Sequence, residues 1–182
     1  MTITYCMRDE GLKAGLRDLC GVLPVDAGLD IVEVGVYVGE STLVLLESGK
    51  FKRYVAVDQF VDDYDHAQTD IPPVKYKMSD VEASFRENVI SKYPFVELLK
   101  EDSAAAAKHL TGQQFDVVYI DADHRYEFVK RDIADYIKLI RPGGIIAGHD
   151  YNDAWGVKRA VDEVLDGPTM VFSDSSWLKK LP

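Results

Sequence analysis

The stretch Ile31-Val32-Glu33-Val34-Gly35-Val36-Tyr37-Val38-Gly39-Glu40-Ser41 reads as a buried strand, a glycine-bearing turn and the start of a helix. Its first half is apolar at nearly every position, as a parallel strand covered on both faces requires. Gly35 and Gly39 remove side chains where the backbone has to bend sharply and let a ligand approach the main chain. The helix beginning near Glu40-Ser41 leaves its first N–H groups pointing into that turn.

The same unit recurs on both sides of this stretch. Short β-rich runs occupy Ile31 to Val36, Tyr54 to Val57, Phe95 to Leu99, Phe115 to Ile120 and Gly144 to Ala147. Helical patterns alternate with them. Met7 to Leu23 puts Leu12, Leu16 and Leu19 on one face, and Glu40 to Ser48 follows the first strand directly. Ser79 to Tyr93 opens with a capping-box spacing, Ser79 to Glu82, and carries Val81, Phe85 and Val89 on a stripe. Ser103 is placed to cap an alanine-rich turn to Leu110. Tyr126 to Ile140 carries Val129, Ile133, Tyr136, Ile137 and Ile140 and is expected to stop at Pro142-Gly143-Gly144. A last helix spans Val157 to Leu165, and Thr169 to Leu181 supplies one or two short edge strands. Alternation of this kind predicts an α/β fold: a doubly wound, Rossmann-like, mostly parallel sheet with helices on both faces.

The 182 residues suit one domain over 1–182, and 47% hydrophobic with 29% charged residues is a globular balance. A formal net charge of -10 repels phosphate backbones, and Lys179-Lys180 and Lys50 to Arg53 are too short to make a basic patch. Nucleic acid is therefore not an expected partner. No apolar run is long enough to cross a bilayer, and Met1 to Glu10 lacks the apolar core of a signal peptide. The expected location is the cytoplasm, where Cys6 and Cys20 act as packing residues rather than a disulfide.

In open α/β sheets, ligands bind outside the carboxyl ends of the strands. Nearly every predicted strand here ends in acid: Glu33, Asp58, Glu101-Asp102, Asp121 with Asp123, and Asp150 after His149. The first turn reads E-x-G-x-x-x-G-x-S, where a dinucleotide site wants G-x-G-x-x-G to cradle a pyrophosphate. Carboxylates at both ends of the turn repel a pyrophosphate and attract a ligand with an ammonium and a sulfonium. That favours S-adenosyl-L-methionine over NAD, with Glu33, Gly35, Tyr37, Gly39 and Ser41 as the candidate contacts of the turn. Asp58 can accept ribose hydroxyl protons of either cofactor. Asp102, with Ser103 beside it, can accept from an adenine amino group or cap the next helix.

Four segments together resemble class I S-adenosylmethionine-dependent methyltransferases, the group of catechol, caffeoyl-CoA and antibiotic sugar O-methyltransferases. They are Val32 to Thr42, Val55-Ala56-Val57-Asp58, Phe115 to Tyr126 with its Asp121-Ala122-Asp123-His124, and Arg141 to Tyr151. The resemblance runs from about Asp30 to Val164 in the expected order. It implies that Glu33 and Gly35 lie by the methionine end of the cofactor, that Asp58 holds the ribose, and that Asp102 and Ser103 flank the adenine, with Asp121 adjoining. In metal-dependent members the acid ending the fourth strand and a polar pair ending the fifth hold a divalent cation such as Mg²⁺. Those positions are Asp121 and His149-Asp150. A histidine at 149 departs from the carboxylate of catechol-type enzymes, which points to a softer ion or to His149 as the base.

His124 is the other candidate base, or a residue that only bonds local backbone. Tyr151 and Trp155 line a substrate pocket or pack. The polar, broken segment Gln59 to Met78 is an expected active-site lid. The reaction expected is methyl transfer to a small molecule, at oxygen, since no Asn-Pro-Pro-Tyr or Asp-Pro-Pro-Tyr motif of base methylation is present. The chain's brevity fits an open site or one completed by a second copy in a homo-oligomer. An NAD-linked oxidoreductase is the alternative reading. The same resemblance extends to proteins described as cephalosporin hydroxylases, so a cofactor-binding relative without transferase activity is a third.

Overall fold

A computed structural model describes residues 11–25, 28–62 and 76–182. The elements are α1 Gly11–Val22, β1 Leu29–Val34, α2 Glu40–Glu47, β2 Phe51–Val57, α3 Met78–Phe85, β3 Val96–Leu99, α4 Ser103–His109, β4 Phe115–Ile120, α5 Tyr126–Tyr136, β5 Ile140–Gly148, α6 Gly156–Leu165, β6 Met170–Val171 and β7 Trp177–Lys180. Seven strands form one sheet in the order β3-β2-β1-β4-β5-β7-β6. The first five pair in parallel, and β7 and β6 close one edge antiparallel.

Side-chain alternation explains why the central strands are apolar throughout. Ile31, Tyr54, Val117 and Ala147 face a core shared with α1, α2 and α3. Val32, Val55, Val118 and Ile146 face a second core shared with α4, α5 and α6. Both sheet faces are thus covered, as parallel βα units require. Among the described residues no helix is long and apolar enough to cross a membrane.

Several boundaries differ from the sequence expectation. The Ser79–Glu82 capping box does not form: the helix starts one residue earlier, at Met78, whose amide donates to Asp62 Oδ1 at 2.7 Å. Glu82 instead pairs with Arg86 and Lys100. Beyond Phe85 the helix widens into a π turn, Arg86–Ile90, rather than running regularly to Tyr93. Ser103 is not the cap of α4; Asp102 is, accepting from the amides of Ala104 and Ala105. The helix expected to Ile140 ends at Tyr136, followed by a 3₁₀ turn, Ile137–Leu139. Ile140 already belongs to β5 and pairs with Phe115; Pro142-Gly143-Gly144 then forms a bulge, after which Val117 pairs with Ile145. Ile140 is buried in the same core that a helical stripe would reach, so apolar periodicity could not separate the two assignments. Cys20 is buried and its thiol is pushed up to about 11 by burial. Leu16 and Leu19 are buried as expected, whereas Cys6, Met7 and most of the expected lid, 63–75, lie outside the described residues.

Candidate active site

The turn between β1 and α2 is built by two close approaches. At Gly35, with φ +86°, a Cβ would sit 2.2 Å from the Asp121 carbonyl oxygen and 2.6 Å from Ala122 Cα. At Gly39, with φ +90°, a Cβ would meet Val89 of the π turn at 2.6 Å. Only glycine meets both the left-handed backbone and the absence of space. Gly39 is also the N-cap of α2, and no side chain caps that end.

Glu33 lies beneath this turn, not on its surface. It is fully buried, and its carboxylate accepts hydrogen bonds from Ser41 Oγ at 2.5 Å, Thr42 Oγ1 at 2.6 Å and Tyr54 OH at 2.6 Å. Burial pushes its pKa up to about 7 despite the three donors. Glu33 and Ser41, both expected to touch the cofactor, are therefore bonded to each other and brace the start of α2 against β1 and β2. Thr42 and Tyr54 complete that brace and were not singled out from sequence. Their signal was present: Tyr54 is an aromatic hydroxyl in a strand whose other inward residues are apolar, on the same sheet face as Glu33.

Asp58, at the end of β2, clasps the turn from the side. Its Oδ2 accepts from the amides of Val36 at 3.1 Å and Tyr37 at 2.9 Å, and its Oδ1 from Phe60 at 2.9 Å. Burial raises its pKa, against the lowering by these amides. Tyr37 presents an exposed ring from a left-handed backbone, φ +48°.

Across the turn, the ends of β4 and β5 meet. A Cβ on Gly148 would lie 2.3 Å from the Ile120 carbonyl, so β5 ends in contact with β4. This brings Asp121, His124 and Asp150 together: one ligand atom from each lies within 4.8 Å of the others. His124 Nε2 is 3.1 Å from Asp150 Oδ2 and 3.4 Å from Asp121 Oδ1, and its buried Nδ1 has no hydrogen-bond partner among the described residues. Burial lowers the His124 pKa, but the hydrogen bond to Asp121 and the charges of Asp121, Asp150 and Asp123 outweigh it, so the net shift is upward. Asp150 adopts φ +58°, a strained backbone of the kind that gathers at functional sites.

The group of three differs from the expected one. His149 was expected beside Asp121 and Asp150 as a ligand or a base. Its Nδ1 instead pairs with Asp150 Oδ2 at 3.2 Å, and His124 takes the third place. Burial depresses the His149 pKa, but Asp150, Asp121 and Asp174 lift it to about 9. The ion pair with Asp150 favours the protonated imidazole of His149. Its carbonyl accepts from Trp177 Nε1 at 3.2 Å, which fixes the end of β5 to the antiparallel edge.

On the far side, Asp102 is engaged as the cap of α4, and Ser103 Oγ donates to the buried Asp132 of α5 at 2.7 Å. Arg131 donates to Ser103 Oγ at 2.8 Å and pairs with Asp132. The α4 start, with the Asp102–Ser103 corner, is thereby tied to α5, the helix that follows the Asp121–His124 loop. Trp155 stands near His124, with ring centroids 5.6 Å apart, while Tyr151 donates to Asp162 at 2.6 Å on α6.

A family model described as a methyltransferase domain matches residues 32–151, from the heart of β1 to the residue after Asp150. The curated relative "Uncharacterized protein R132" of Acanthamoeba polyphaga mimivirus is 23% identical over 125 residues, covering 69% of this chain and 52% of that protein. The chain thus spans about half the length of the curated relative it matches. Among solved structures, the O-methyltransferase NovP superposes with a TM-score of 0.66 at 17% identity, covering 94% of this chain and 78% of NovP. The O-methyltransferase from Bacillus cereus, solved in complex with SAH, gives a TM-score of 0.56 at 17% identity, covering 96% of this chain and 91% of that one. These likenesses are likenesses of fold. The family match covers well over half of the chain, including the turn and the Asp121–His124–Asp150 group, and the chain belongs to the methyltransferase domain family.

Proposed function

We propose that this chain transfers a methyl group from S-adenosyl-L-methionine to a hydroxyl oxygen of a small-molecule acceptor. The observation that carries the reading is the juxtaposition of the Gly35 turn with the Asp121–His124–Asp150 group, at contact distance across the ends of β1, β4 and β5. Methyl transfer asks little covalent chemistry of a protein. It needs oxygen, carbon and sulfur held in line, and one proton removed.

Each residue has a part in this. Asp58, Tyr37 and the open N-terminus of α2 border the donor's place, and Glu33 keeps that turn in shape from below. The acidic strand ends favour a cationic donor over a pyrophosphate. His124 Nε2 holds a proton between two carboxylates; once it has lost that proton, the same nitrogen can accept one from the acceptor hydroxyl. His149, positively charged, holds Asp150 in position.

A divalent cation fits the same group, since two carboxylates and one imidazole form a mixed O/N donor set. Asp121, His124 and Asp150 would hold it, and it would lower the pKa of a bound hydroxyl. The donor set suits a softer ion such as Mn²⁺ better than Mg²⁺, which prefers oxygen throughout. A small-molecule acceptor, a cytoplasmic setting, and no nucleic-acid or membrane partner belong to the same reading; the net charge of -10 supports the absence of a nucleic-acid partner.

Calorimetry with S-adenosylhomocysteine and NAD tests it. Binding of S-adenosylhomocysteine in the micromolar range, with no heat from NAD, is the expected result. NAD binding in its place, or no binding of either, overturns it.

A further inference from the structure

With no side chain capping α2 at Gly39, the backbone there is fixed by what packs on it from outside the helix. Among the described residues, the three heavy atoms nearest to a Cβ built on Gly39 come from two side chains. They are Val89 Cγ2 at 2.6 Å and Phe85 Cδ2 and Cε2 at 3.1 and 3.4 Å. Both belong to one continuous element: Phe85 ends α3, and Val89 lies in the π turn that extends it.

A π turn is an uncommon insertion into a helix, and such insertions are frequent at functional positions. Here Ser91 donates to the Arg86 carbonyl at 3.0 Å across the widened turn. Of the five residues Arg86–Ile90, Val89 alone is buried. The widened turn thus delivers one side chain inward, and delivers it to Gly39.

The same element reaches the donor's surroundings at two further places. The Phe85 ring stands 6.2 Å from that of Phe60, whose amide donates to Asp58 Oδ1 at 2.9 Å. Oδ2 of that carboxylate holds the amides of Val36 and Tyr37. Glu82 of α3 pairs with Lys100 at 2.7 Å, two residues before Asp102 at the end of β3. Val89 and Phe85 are themselves 0% exposed, so they act on a bound molecule only through the backbone of the turn.

We propose that α3 with its π turn is the positioning element of the donor turn, and that Val89, backed by Phe85, sets donor affinity through Gly39. Both are positioning residues. The proposal rests on the donor-binding part of the methyl-transfer reading, and its test separates the two.

Val89→Ala and Val81→Ala remove the same two methyl groups from the same buried core, but of the two valines only Val89 is among the nearest neighbours of Gly39. Calorimetry with S-adenosylhomocysteine should show binding about fivefold weaker in Val89→Ala, a modest coupling for residues in contact, and unchanged in Val81→Ala. Amide hydrogen exchange in the free protein supplies a second readout at Leu43, whose N–H bonds the Gly39 carbonyl at 2.9 Å. Local opening at that amide should quicken in Val89→Ala and not in Val81→Ala. In Gly39→Ala the added methyl collides with Val89, so there Val89→Ala should restore part of the lost affinity; the cost of a left-handed alanine remains. Equal losses of affinity in the two valine variants overturn the proposal. So does a further loss when Val89→Ala is added to Gly39→Ala. A wild-type protein that binds no S-adenosylhomocysteine refutes the methyl-transfer reading instead. Faster Leu43 exchange confined to Val89→Ala then still supports the positioning of the turn, and equal exchange in both valine variants overturns it.

Discussion

Replacing Glu33 by Gln tests whether the acid under the cofactor turn is held against its own ionisation. The folded protein raises its pKa from 4.5 to about 7, chiefly by burial. A tenfold change in proton affinity is worth about 1.4 kcal/mol, so this rise places a penalty of about 3 kcal/mol on the ionised form in the folded state. Because the folded pKa lies above the unfolded one, the folded state binds more protons between the two values. Stability from this group is then whole below pH 4.5 and is lost as pH rises to about 7. The substituted amide keeps the shape and the bonding, since the hydroxyls of Ser41, Thr42 and Tyr54 can each donate to its oxygen or accept from its nitrogen. The assay is urea unfolding of both proteins across that window. Only the difference between them is read, so that other titrating groups cancel. The difference should grow in favour of Glu33→Gln with rising pH, level above about pH 7, and reach about 3 kcal/mol there. That is roughly 6–12 °C in midpoint for a domain of this size. A difference that does not vary with pH would falsify the account of Glu33 as a buried, largely protonatable brace.

Three further outcomes follow from the geometry. Gly35→Ala, which must both fit φ +86° and displace the Asp121 carbonyl, should cost on the order of 3 kcal/mol or more, whereas Gly49→Ala, at φ +70° with nothing within 4 Å, should cost about 1 kcal/mol; equal losses in urea unfolding would refute the close approach. Mn²⁺ affinity by calorimetry should drop at least about tenfold in Asp121→Asn, His124→Asn and Asp150→Asn, and less in His149→Asn. The affinity should also rise with pH until it passes the elevated pKa of His124, because the imidazolium proton has to leave before the nitrogen can bind; a larger loss in His149→Asn than in His124→Asn would reverse the assignment. Asp102→Ala should lower stability by about 1 kcal/mol through loss of the α4 cap, and an S-adenosylhomocysteine affinity that falls with it would add an adenine contact to the capping role.

What the sequence determined was local. The alternation of buried strands and amphipathic helices, the two glycines of the first turn, and the acids at successive strand ends are all readable because each depends on residues a few positions apart. They sufficed for the sheet, its helical faces, its C-terminal edge strands and the family. The end of α5 escaped, since a residue such as Ile140 is equally apolar as the last turn of a helix or the first pair of a strand. Tertiary structure alone decided how the strand ends share their work. Glu33 turned inward because Ser41, Thr42 and Tyr54, from two other elements, meet its carboxylate there. Asp150 meets Asp121 and His124 because β5 runs against β4 at Gly148. Trp177, arriving from the antiparallel edge, holds the His149 carbonyl at the end of that strand. No sequence spacing encodes such distances: they are set by the packing of strands that lie tens of residues apart along the chain.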